Sequence, residues 1–184
     1  GTRSQFSSLN GLTDEVYIAA ARSTANGFVA GQAFTGNGVA GQIARISPDG
    51  TTTIDPWVTL PGETGLLRGG LHIDTTGVWG GDLIVGTTDG NLWRVTAAGV
   101  ATKVAHVDTN IEGIVTVPND VPRYGPWAGK IVTGSDAVNM YAIDTSGAVT
   151  TYNNLGFTAT ENLNIPNAGE VFYGVDFGGN TLWS

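Results

Sequence analysis

The sequence contains no cysteine, which excludes disulfide frameworks, thiolate metal sites and cysteine nucleophiles. It is also poor in charge. Only 13% of residues are charged, and eight basic residues stand against sixteen acidic ones, for a net charge of −8. A chain so short of cations is repelled by phosphate backbones and by anionic lipid surfaces, so nucleic acid and membrane surfaces are poor partners. No apolar run reaches the ~18 residues of a membrane span. Helix signals are scarce as well: no window of ~11–18 residues carries an apolar i, i+3, i+4, i+7 stripe with caps. Gly-x-Ser-x-Gly and His-Glu-x-x-His are both absent, which leaves triad and zincin readings without residues. The start, Gly1-Thr2-Arg3-Ser4, lacks Met and a signal peptide and reads as a mature product or an excised fragment.

What the chain has in abundance is glycine, 28 residues, together with a repeat. Leu83-Ile84-Val85-Gly86, Asn91-Leu92-Trp93-Arg94-Val95 and Gly99-Val100-Ala101-Thr102 return 48 positions later without a gap. The second copy is Ile131-Val132-Thr133-Gly134, Asn139-Met140-Tyr141-Ala142-Ile143 and Gly147-Ala148-Val149-Thr150. A fixed period of this size marks stacked supersecondary units, none able to bury its apolar face alone.

Each unit divides into strands. Asp82–Thr87 and Lys130–Gly134 are β-branched runs suited to buried middle strands. Asn91–Val95 and Asn139–Ile143 alternate apolar and polar residues, as strands with one packed face do. A glycine-ended turn leads to a fourth strand, Val100–Val104 or Ala148–Tyr152. Gly70–Ile73 and Gly113–Val117 lie ahead as inner strands. Four antiparallel strands in ~40–50 residues make a β-propeller blade, so the expected fold is all-β and propeller-like.

The expected division is a modified blade over 4–65, blades over 66–108 and 109–158, and an incomplete blade over 159–184. In the first, Val16–Ala19 is read as the middle strand and Gln42–Ile46 as its partner. Between them lies a long insert, 22–41, with two exposed-looking residues, Phe28 and Phe34. The count is then about three and a half blades, against the ~4–8 of closed rings. Three resolutions are open: the chain is part of a longer propeller, pairs with a second copy, or closes a small ring through its N-terminal segment. The first is preferred.

Ile111-Glu112-Gly113-Ile114 is similar to the Pro-Glu-Gly opening of an inner strand in gluconolactonases, senescence-marker-type lactonases and NHL repeats, and Asp89-Gly90-Asn91-Leu92-Trp93 resembles that group too. Gly125–Val132 and Phe172–Phe177 look like propeller modules of large secreted bacterial proteins. The resemblance, from about Gly70 onward, implies a calcium-dependent six-bladed fold and a secreted or extracellular place. Where the group has Pro before Glu, this chain has Ile111 and Thr160.

Glu112 and Glu161 stand at equivalent places, each opening an inner strand at one mouth of the central channel. With Asn110, Asn162 and Asn164 they form an oxygen-rich set suited to Ca²⁺. The alternative role of each Glu is to accept backbone hydrogen bonds at the blade junction. His72, on an inner strand, is a further candidate, whereas His106 has no matching motif. Tyr124 and Trp127 are loop aromatics able to stack on a sugar ring or to cap a blade edge. The expected function is an extracellular binding or interaction module, holding calcium and meeting the remaining blades of a longer chain or a second copy, with a carbohydrate or protein ligand. Two alternatives stand beside it. One is a calcium-dependent lactonase or related hydrolase using Glu112, Glu161 and His72. The other is a carbohydrate-binding module using Tyr124 and Trp127.

Overall fold

Fourteen strands form among the residues described by the computed structural model, which are 2–10, 12, 15–24, 26–153, 155–156, 160–161, 163–165, 174–176, 179 and 181–183. β1 (Ile18–Ala20), β2 (Ala33–Gly36), β3 (Gln42–Ile46) and β4 (Thr53–Thr59) make one antiparallel sheet in chain order. A second follows from β5 (Gly70–Ile73), β6 (Leu83–Gly86), β7 (Asn91–Val95) and β8 (Ala101–His106). A third comprises β9 (Ile111–Thr116), β10 (Ile131–Ser135), β11 (Met140–Ile143) and β12 (Val149–Tyr152). β13 (Gly174–Asp176) and β14 (Thr181–Trp183) form an antiparallel pair. The protein is an all-β propeller with four-stranded blades.

The side-chain pattern explains the stacking. The middle strands are buried on both faces, so they read as continuous apolar runs. Strand alternation sends Leu83 and Val85 of β6 into a core shared with Phe34, Ile43 and Val58 of the first blade. Ile84, on the opposite face of β6, packs with Ile111, Ile114, Ile131 and Ile143 of the third blade. Beyond that blade, Val115, Val117, Val132 and Met140 meet Leu163 and Ile165. Each buried Val, Leu or Ile contributes ~1.5–3 kcal/mol, against ~1 kcal/mol net for a hydrogen bond, so blade stacking dominates the fold. The outer strands carry the solvent face: in β12, Val149, Thr150 and Thr151 are exposed.

Backbone bonds join neighbouring inner strands. Tyr17 N–H donates to the Leu67 carbonyl (3.2 Å), and Gly113 N–H donates to that of Gly69 (2.6 Å). The repeat continues into the fourth unit. Thr160 N–H bonds the Ser135 carbonyl (3.2 Å) as Ile111 N–H bonds that of Thr87 (3.3 Å), so Glu161 occupies the place of Glu112.

The first blade differs from the sequence expectation. Ala33–Gly36, inside the supposed insert, is its second strand, paired with β1 on one side and β3 on the other. Segment 18–20, overlapping the presumed middle strand, is the inner strand. Phe34 is fully buried and Phe28 nearly so, and the two rings meet edge to face at 5.2 Å. The extra residues are a feature of all three blades described in full. A long loop joins the first two strands in each, from Ala20 to Ala33, Ile73 to Leu83 and Thr116 to Ile131. Each loop closes with a left-handed glycine, Gly31, Gly81 or Gly129. No helix among the described residues is long and apolar enough to cross a membrane.

Candidate functional site

The starts of the inner strands bring acidic side chains together. Glu112, the second residue of β9, shares a side-chain hydrogen bond with Asp136, which lies in the loop joining β10 and β11. Asn110 bridges the two, donating from Nδ2 to Glu112 Oε1 (3.1 Å) and to Asp136 Oδ2 (2.7 Å). Burial is the largest influence on Glu112, followed by the bond to Asp136 and the negative charges of Asp136, Glu161 and Glu15. Together they push its pKa up from 4.5 to about 7. The carboxyl is therefore half-protonated at neutral pH, because ionising it would strip water from a charge and set that charge among like charges. Asn110 Oδ1 is buried without a hydrogen-bond partner.

Of the predicted ligand set, then, Glu112 and Asn110 touch, and Glu161 acts on Glu112 through its charge. Asn164 is exposed, and Asn162 lies outside the described residues. Asp136 carries no signal in the repeat, because its counterpart in the preceding blade is Thr88. Among the described residues no three His, Asp or Glu side chains converge closely enough to enclose a metal.

His72 lies between blades. Its Nε2 is 3.0 Å from the buried Thr116 hydroxyl of β9. Burial lowers its pKa from 6.5 to about 4; the nearby Asp74 opposes this and Arg22 adds to it, so the ring is neutral at physiological pH. Asp74 is buried too, which by itself would raise its pKa, but hydrogen bonds from Thr76, Gly81 and Thr116 more than offset that and hold it low. Its Oδ2 also accepts from Trp79 N–H (2.9 Å), which ties down the loop between β5 and β6.

Tyr124 and Trp127 belong to the third blade's loop, in a helical turn (Val121–Tyr124) and a 3₁₀ turn (Gly125–Trp127). Both are half-buried against the outer core cluster. The Trp127 ring meets Tyr152 edge-on at 5.7 Å, and Arg123 lies over the Tyr124 ring.

A second constellation escaped sequence reasoning altogether. Glu63, in the crossover from β4 to β5, is buried against β7. Its Oε1 accepts from the backbone N–H groups of Thr64 (3.1 Å) and Gly65 (2.9 Å) and from Asn91 Nδ2 (3.1 Å). Trp93 Nε1 donates to Oε2 at 2.7 Å. A lone Glu within Leu60-Pro61-Gly62-Glu63-Thr64-Gly65 looks like a surface loop, and its partners lie about thirty positions away. At the next junction the equivalent space is a cleft of about 440 Å³ whose lining includes His106, Asp108, Thr109, Asn139, Tyr141 and Thr151.

Among solved structures, the computationally designed Ika4 protein matches this chain with a TM-score of 0.55 and 14% identity, over 90% of this chain and 89% of its own. The computationally designed Ika8 protein matches at 0.51 and 12%, over 76% of this chain and 39% of its own. A catalytically inactive histidine-to-alanine variant of virginiamycin B lyase from Staphylococcus aureus, crystallised with quinupristin, matches at 0.54 and 18%, over 95% and 50%. The lyase is a β-propeller. At these identities the likeness shows the fold alone, and the chain spans only about half of the lyase and less of Ika8. No protein-family model and no curated protein matches this chain.

Proposed function

We propose that this chain is an extracellular propeller binding module that takes a calcium ion on the acidic mouth formed by Glu112 and Asp136. The observation carrying this reading is the meeting of the Glu112 and Asp136 carboxyl groups under the Asn110 amide, where burial first and then the neighbouring carboxylates push the Glu112 pKa up to about 7. A divalent cation relieves that repulsion better than one proton. The donors are all hard oxygens, which suits Ca²⁺ and not a thiophilic or imidazole-loving metal. Asn110, with a buried and unsatisfied Oδ1, supplies a further oxygen beside the pair once its amide turns. Two carboxylates and one amide fall short of the six to eight oxygens Ca²⁺ takes. Water and Glu161 would complete the shell, and the expected dissociation constant is on the order of 10⁻⁴–10⁻³ M, as in other extracellular modules.

Isothermal titration tests this. Ca²⁺ should bind more tightly near pH 8 than near pH 6, because the cation displaces the Glu112 proton, and Glu112→Gln should abolish the heat. No heat and no thermal shift at ~10 mM Ca²⁺, well above that range, would end the reading.

The module also has an open inner face. Ile18 is 61% exposed, and Ala20 is exposed beside it. The residues in register with Ile18 in the next two blades, Leu71 and Ile114, are 4% and 6% exposed because each packs on the preceding blade. This supports contact with a further blade, from the rest of a longer chain or from a second copy. Light scattering distinguishes these by the mass of the particle. The hydrolase reading is less well supported, since the His72 ring is already engaged by the buried Thr116 hydroxyl. The sugar-stacking reading has half-buried rings already engaged in packing.

A further inference from the structure

The two blade junctions are built on the same plan but differ in one loop. Leu60 N–H donates to the Gly41 carbonyl (2.8 Å), and Val107 N–H donates to that of Gly90 (2.9 Å), so Leu60 and Val107 are equivalent. Leu71 and Ile114 are equivalent by their pairing with Val85 and Thr133. The crossover between these landmarks advances eleven positions at the first junction (71 − 60) and seven at the second (114 − 107). The four residues lost fall in the stretch that at the first junction carries Glu63.

The two side-chain donors among the four groups that Glu63 satisfies have nevertheless been kept. Asn91 and Trp93, which hold its carboxylate, correspond 48 positions on to Asn139 and Tyr141. An indole N–H has been replaced by a phenol O–H, another donor at the same place in the repeat. Both line the open cleft. In place of a carboxylate they meet each other, with Asn139 Nδ2 3.4 Å from the Tyr141 hydroxyl, a long contact. Tyr141 is only 7% exposed and lines the cleft. Thr64, whose hydroxyl bonds Asp89 at the first junction, is gone, and Asp89 is replaced by Ala137, which leaves the wall small.

We propose that this cleft is a binding site for a ligand carboxylate, which takes the position that the Glu63 side chain fills one blade earlier. Asn139 Nδ2 and Tyr141 O–H bind its two oxygens. The hydroxyls of Thr109 and Thr151 and the His106 ring stand on the same lining. His106 is oriented by Asn91, with Nδ1 2.9 Å from Asn91 Oδ1, so the same asparagine serves the intramolecular carboxylate and the wall of the ligand site. Asp108 also lines the cleft and opposes an anion, although its side chain is fully exposed and lies 3.4 Å from His106 Nε2. The cleft volume suits an acidic amino-acid residue or a uronic acid. Both present the same carboxylate. This inference is independent of calcium at Glu112.

The test uses ¹H–¹⁵N NMR on the full chain, following the Asn139 side-chain amide. The probes are acetyl-Gly-Glu-Thr-Gly-amide, its Gln counterpart and glucuronate. The expected result is saturable shifts with the Glu peptide, glucuronate or both, and at least about tenfold weaker binding of the Gln peptide, the size of losing one charge-assisted bond. Tyr141→Phe and Asn139→Ala should each weaken binding about tenfold, with Tyr141→Phe keeping the wild-type melting temperature. Asp108→Asn should tighten it. A preference for the peptide would assign the site to acidic side chains, and for glucuronate to acidic sugars. No saturable shift with either, equal binding of the Gln peptide, or binding indifferent to both Asn139→Ala and Tyr141→Phe would overturn the proposal.

Discussion

Replacing Glu63 with Gln probes how the blades are locked together. The carboxylate takes four hydrogen bonds, three on Oε1 and one, from Trp93, on Oε2. A glutamine keeps one acceptor. If its oxygen stays on the backbone N–H groups, its NH₂ faces the indole N–H, and two donors oppose each other. Trp93 is 5% exposed, so water does not rescue its N–H. An unsatisfied buried donor costs about 1–3 kcal/mol, and the three surviving bonds lose the assistance of a charge. Relief from burying a carboxylate returns part of this, about 1 kcal/mol, giving a net loss of about 2 kcal/mol. With a urea m value of ~2 kcal/mol/M, the unfolding midpoint should fall by about 1 M. Trp93→Phe removes the opposing donor, so the double variant should be less destabilised than the sum, with a coupling of about 1–2 kcal/mol. Equal midpoints for Glu63→Gln and wild type, or strict additivity in the cycle, would refute the clamp.

The pH dependence of stability carries a second expectation. Glu112 holds its proton more tightly folded than unfolded, so its contribution is complete below about pH 4.5 and is lost as pH rises through about 7. The nominal shift corresponds to about 3 kcal/mol. For a partly exposed group, solvent screening reduces this to on the order of 1 kcal/mol. In EDTA, Glu112→Gln should therefore gain about 1 kcal/mol relative to wild type between pH 5 and pH 8 by urea unfolding, and a flat difference would contradict the acidic cluster. His72 titrates in the opposite sense, contributing stability above about pH 6.5 that is lost as pH falls towards 4, and its effect cancels between the two proteins. Backbone geometry supplies another contrast. Gly90 has φ +75, and a Cβ there would run into the Val107 carbonyl and crowd that of Thr109 at 2.7 Å. Gly90→Ala should cost about 3 kcal/mol or more, whereas Gly62→Ala, at φ +69 with nothing nearby, should cost about 1 kcal/mol in thermal unfolding.

The second and third blades were legible because both faces of their middle strands are buried, which leaves unbroken runs such as Leu83–Val85 and Ile131–Val132 in the sequence. Strands β3, β5 and β7 fall where the repeat puts them. β2 was hidden for a physical reason. Ala33-Phe34-Thr35-Gly36 has only one large apolar residue, so it carries no β-branched run like those of β6 and β10, and its spacing to β6 is fifty positions, not forty-eight. The glycine-rich loop before it then reads as an insertion, when the second and third blades have such a loop too. The mouth was half legible. Glu112 and Asn110 follow from the strand opening, but Asp136 reaches them from a loop twenty-six positions beyond Asn110. Glu63 and the cleft at Tyr141 could not be seen at all, since their meaning lies in comparing two junctions in space.

The most direct test of the functional account is calcium titration of the wild-type chain and of Glu112→Gln near pH 8. The account predicts saturable heat with a dissociation constant on the order of 10⁻⁴–10⁻³ M, weakening near pH 6 and absent in the variant. Identical titrations for the two proteins, or no heat from wild type, would contradict it.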